Sequence, residues 1–185
     1  KVALPLRWGG LSLRSLASLG VPARVGSWAA VLSTLPVLAP LLQGVWLQGW
    51  GALAGALGEA PPPALQSTSI LPVRLPQGLI DLVADVVELK QNLAAARVIV
   101  SQTLDSLGDF APPMVEDLTA ELGKWIDFSA ADLFEAGTPY LQHTASRTLE
   151  LGEGCRLYFA ARAPANADEA EAWAGAMSCI GPDSG

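Results

Sequence analysis

The sequence predicts a mostly α-helical protein in which one kinked N-terminal transmembrane helix precedes a small helical-bundle domain. Three observations carry that prediction. Residues 25–58 contain no Asp, Glu, Lys, Arg or His, and a proline-rich stretch follows them. Beyond it, apolar residues recur every three or four positions, the spacing of one helix face.

Composition agrees with a chain only partly designed for water. The 185 residues leave room for one ordinary core plus an appendage. They are 51% hydrophobic and 16% charged with a mean hydropathy of +0.36, against roughly 25% charged in typical soluble domains. A net charge of −7 argues against nucleic-acid binding as a class, because that affinity rests on Lys and Arg neutralising phosphates. The charges are also segregated. Residues 1–58 hold Lys1, Arg7, Arg14 and Arg24 and no acid, whereas residues 59–185 hold all 18 acids. Such asymmetry marks either a basic arm on an acidic domain or the two sides of a membrane.

Residues 1–24 read as a basic amphipathic flank. Leu4, Leu6, Trp8, Leu11, Leu13 and Leu16 interleave with Arg7 and Arg14, which suits a segment lying along a lipid surface.

Residues 25–58 read as the membrane-embedded segment, since about 20 apolar residues cross a bilayer. Trp28 stands near one end, Trp46 and Trp50 near the other. A continuous helix would separate Trp28 from Trp50 by about 33 Å, so the three indoles are candidate membrane-interface residues. Pro36 and Pro40 predict a kink, with the hydroxyls of Ser33 and Thr34 available to freed backbone groups. Gly51 and Gly55 form a small-xxx-small pair and are candidate helix-packing positions. The same residues admit two further readings. One is a buried helical hairpin of a soluble chain, broken near Pro40 or Gly44; the other is an uncleaved signal-like anchor ending in Ala52, Ala54 and Ala56.

If the segment spans, its basic flank stays on the stromal or matrix side and the acidic part is lumenal or intermembrane. The expected setting is then a thylakoid or inner mitochondrial membrane, with the bacterial inner membrane as the alternative.

Residues 59–77 contain Pro61, Pro62, Pro63, Pro72 and Pro76 and read as an extended linker. Residues 78–185 form the acidic helical domain. Within it Leu79, Leu82, Val86, Leu89, Leu93, Ala96, Val100, Leu104 and Leu107 lie on one helical stripe, about 45 Å long from Gly78 to Leu107. Gly108, Pro112 and Pro113 end that helix, and Ile80, Val83, Val87 and Val98 widen its apolar surface. A second helix is expected from Pro113 to Trp125, a short third one capped by Ser129 and Asp132 and ending near Gly137, a fourth from Pro139 to about Leu149, and a last one from Asn166 to about Met177. Cys155 to Ala161 alternates Leu157 and Phe159 with Arg156 and Tyr158, which predicts a short strand or extended arm. A helical bundle is the resulting architecture.

Cys155 and Cys179 are the two cysteines. A disulfide between them would contribute roughly 3 kcal/mol by loop closure; buried free thiols are the competing reading.

Reactive constellations are sparse. His143 is the single histidine, which excludes a multi-histidine metal site. No G-x-S-x-G elbow, Walker loop or G-x-G-x-x-G turn occurs. His143 reads as a surface or packing side chain, with axial ligation of a porphyrin-type pigment as the minor alternative. Glu116, Asp117 and Glu121, like Asp81, Asp85 and Glu88, read as solvated acidic faces, the latter trio also suited to a basic partner. No catalytic residue, metal site or required cofactor is therefore expected.

These readings predict a non-catalytic accessory subunit of a multi-subunit membrane complex, of organellar energy conversion (photosynthetic or respiratory). Its partners would be other membrane-protein subunits and lipid. The alternatives are a membrane-tethered helical domain that binds lipid, pigment or another hydrophobic ligand, and a soluble secreted-type helical protein. An enzyme working through carboxylates or His143 ranks behind all of these.

Overall fold

The computed structural model describes residues 16–67, 73–107, 119–120 and 127–162. The chain is mostly helical. In order come α1 (Leu16–Val31), α2 (Leu35–Leu38), a 3-10 turn (Pro40–Leu42), α3 (Gln43–Leu57), α4 (Pro63–Ser67), α5 (Gln77–Leu107), a π turn (Asp132–Ala136) and α6 (Leu141–Arg162), with no strand among the described residues.

The expected transmembrane helix is corrected here. No helix among the described residues is long and apolar enough to cross a membrane. The uncharged run is divided between α1, of 16 residues, and α3, of 15, each short of the roughly 20 that a span requires. Residues 32–42 intervene as a turn, one turn of helix and a 3-10 turn. The cause is local: Pro36 and Pro40 each lack an N–H and obstruct the preceding turn. Two prolines four residues apart break this run, where the favoured sequence reading had a kinked continuous helix and its hairpin alternative had a break near Pro40 or Gly44.

The long amphipathic helix was legible. Its buried stripe is Leu79, Leu82, Val86, Leu89, Leu93, Ala96 and Val100, the same face that the spacing selects. Ile80 and Val98 are exposed, so the second apolar side expected there is only partly used.

Two compact units share the chain. The first comprises residues 19–92 and 126–146, with a core of Val25, Leu32, Leu53, Leu82, Val86, Leu89, Leu133, Phe134 and Leu141. Burying a side chain of this kind stabilises by about 1.5–3 kcal/mol. Gly26 permits α1 to cross the start of α6, because a Cβ there would lie 2.6 Å from Gln142 Cβ. The Arg24 guanidinium adds a two-pronged tie to Asp85, with both N···O distances 2.7 Å. This pair raises the Arg24 pKa, through the hydrogen bond first and the charge attraction second.

Two helix ends in this unit are closed by recognisable devices. Gly58 adopts φ 72°, and the amides of Gly58 and Glu59 donate to Gly55 O and Ala54 O, a Schellman C-cap that a glycine allows without strain. At residues 129–132 the predicted cap is present: Asp132 N donates to Ser129 Oγ at 3.1 Å, and Ser129 N donates to Asp132 Oδ2 at 2.7 Å. This reciprocal capping box uses Asp in place of the usual Glu.

Of the stretch 59–77, expected as a linker, the described residues 59–67 and 73–77 belong to this first unit. Its residues 63–67 form α4, and the Val73 amide donates to Gln48 Oε1 of α3 at 2.9 Å.

Of the second unit, the described parts are residues 16–18 of α1, 93–107 of α5, 119–120, and 147–162 of α6. Gly152 is the close-approach point: a Cβ added there would stand 2.6 Å from Ala96 Cβ and 2.9 Å from its Cα. Around it Val100, Thr103, Leu151 and Cys155 are buried. Because α6 runs on to Arg162, the strand or arm expected over Cys155 to Ala161 is corrected to helix. A five-residue alternation could not outweigh continuation of an established helix. The expected helices at 113–125, apart from 119–120, and at 166–177 lie outside the described residues, as do residues 1–15 of the basic flank.

Candidate functional site: an apolar tip braced by aromatic rings

The feature that stands out is the connector between α1 and α3. Leu41 is 100% exposed, Val37 81% and Leu38 76%, with Leu42 and Val31 also exposed. Five large apolar side chains within twelve residues therefore face solvent, on a segment without an ionisable group from Val25 to Gly58. Scattered exposed apolar residues are ordinary, but a concentration of them marks an interaction surface.

The backbone of this tip is nearly self-contained. The amides of Thr34, Leu35, Val37, Leu38, Ala39 and Leu42 each donate to a carbonyl three or four residues back, and Gln43 N donates to Pro40 O. Thr34 Oγ1 turns inward to Val31 O at 2.9 Å. Pro36 and Pro40 bring no donor at all. The tip thus presents hydrocarbon outward with most of its amides paired, whereas the Leu41 amide and the carbonyls of Pro36, Val37 and Leu38 have no backbone partner.

An aromatic group braces the base of the tip. Trp46 Nε1 donates to Leu32 O at 2.8 Å, fixing α3 to the residue that follows α1. The Trp46 ring meets Trp50 edge-on at 5.3 Å and Phe134 edge-on at 5.8 Å, while Trp50 and Phe134 stack at 6.2 Å. Such pairs contribute about 0.5–1.5 kcal/mol each beyond their buried area. Gly49 leaves the space that Leu79 and Phe134 need against α3, a Cβ there lying 3.0 Å from Leu79 Cδ1. Phe134 escaped the sequence reading, which placed the short helix at 129–137 without naming its core-facing ring.

The residues singled out from sequence divide as follows. Trp46 and Trp50 belong to this aromatic group, and Trp50 is buried. Trp28 is half-buried and covers Gly78 at the start of α5. Gly51 receives the Leu65 side chain of α4, whereas Gly55 opens onto free space. His143 is exposed on α6. Cys155 is buried with a free thiol, and Cys179 lies outside the described residues. Burial pushes the Cys155 thiol above its ordinary pKa, opposed by a hydrogen bond with Thr103.

Lys90 Nζ donates to Phe128 O at 2.6 Å and lies 3.3 Å from Asp127 and 3.9 Å from Glu59, whose other oxygen accepts the Ala130 amide at 2.8 Å. This clasp joins the end of α3, the middle of α5 and the chain entering the π turn. A shallow open depression along α1 is lined by Ala23, Arg24, Ser27, Trp28 and Val31. Among the described residues its lining comes from α1 alone. Among the described residues no group of three His, Cys, Asp or Glu is arranged to hold a metal.

No protein-family model, curated protein or solved structure matches the chain.

Proposed function

We propose that this protein is a non-catalytic accessory subunit that joins a membrane-associated assembly through its apolar tip. The observation that carries the reading is the group Val31, Val37, Leu38, Leu41 and Leu42, exposed on an uncharged segment. Side chains of this kind gain about 25 cal/mol for each Å² removed from water, so the tip is stabilised by whatever covers it. The helical bundle behind it supplies a rigid mount, fastened by the Trp46 hydrogen bond and the Arg24–Asp85 tie.

The setting proposed is an energy-converting organellar membrane, thylakoid or inner mitochondrial, with other membrane-protein subunits as partners. Expected topology rested on a span over 25–58; without one, the proposal keeps the described residues on a single side.

Purification of the full chain from its native source in mild detergent tests the reading. Membrane-protein subunits should co-purify, and replacing Leu38 and Leu41 with Asp should release them. A chain that migrates alone, and whose behaviour ignores that pair of substitutions, rules the reading out.

A further inference from the structure

We draw no further inference here: the strongest candidate, the exposed apolar patch of Val37, Leu38 and Leu41 on the connector between α1 and α3, carries nothing beyond the site already described because nothing in the structure shows what covers it.

Discussion

The indole N–H of Trp46 donates to the carbonyl of Leu32 at 2.8 Å, so the ring on α3 holds the residue where α1 gives way to the tip. Leu32 is itself fully buried. Trp46→Phe keeps an aromatic ring beside Trp50 and Phe134 but removes the donor. It should cost about 1–2 kcal/mol in urea unfolding, the range for losing one partner of a part-buried hydrogen bond. Phe134→Ala, which also empties the space between both tryptophans, should cost more, about 3–5 kcal/mol. A Trp46→Phe variant as stable as the wild type, beside a large loss in Phe134→Ala, would show that the rings, and not the N–H, carry the brace.

Gly152 gives a prediction of inverted sign. Alanine in an exposed helix interior is favoured over glycine by about 1 kcal/mol. Here a Cβ would sit 2.6 Å from Ala96 Cβ, so Gly152→Ala should destabilise by about 1–3 kcal/mol instead. Adding Ala96→Gly should restore part of the loss. Thermal unfolding of the two single variants and the double one settles the point, and additivity without rescue would place the strain elsewhere.

The capping box at Ser129 and Asp132 carries a pH signature. Hydrogen bonds from the Ser129 amide first, and its hydroxyl second, hold the Asp132 carboxyl below its ordinary pKa of 3.8. A folded pKa below the unfolded one means the cap stabilises fully above the ordinary carboxylate range and is lost as pH falls through the lowered folded value. Ser129→Ala should cost about 1 kcal/mol at neutral pH. That cost should shrink on acidification below pH 3.8, as followed by urea midpoints at each pH. A cost independent of pH would detach the carboxylate from the cap.

Cys155 should resist alkylation in the native protein, being buried with a thiol pushed up by desolvation. Its folded pKa lies above the unfolded one. The associated stability is therefore present below the ordinary thiol pKa of 9.0 and is lost as pH rises through the folded value. Peptide mapping after iodoacetamide treatment, with and without urea, distinguishes this site from Cys179. Rapid native labelling at Cys155 would mean that α6 opens locally.

What could be read from the chain alone follows from how local the determining physics is. Helix α5 was legible because its seven buried positions repeat at helical spacing, a feature that neighbouring residues decide among themselves. The Ser129–Asp132 cap was legible for the same reason. The segment 25–58 was not, because absence of charge is shared by a lipid-facing span and by helices that bury Val25, Leu32 and Leu53 against their own chain. Choosing between them depends on Phe134, about 90 residues further on, and no spacing rule reaches that far. At the candidate site the apolar residues were visible as composition, but their exposure was not. Pro36 and Pro40 looked like blemishes in one helix, whereas they shape the turns that hold Val37, Leu38 and Leu41 outward.

The exposed apolar side chains of the tip also bear on how the free protein behaves in a test tube. Greasy knobs left facing water seek each other when nothing else is offered, so raising the concentration should drive weak, salt-enhanced clustering. Colloidal behaviour would then be governed by this small region and scarcely by the acidic remainder.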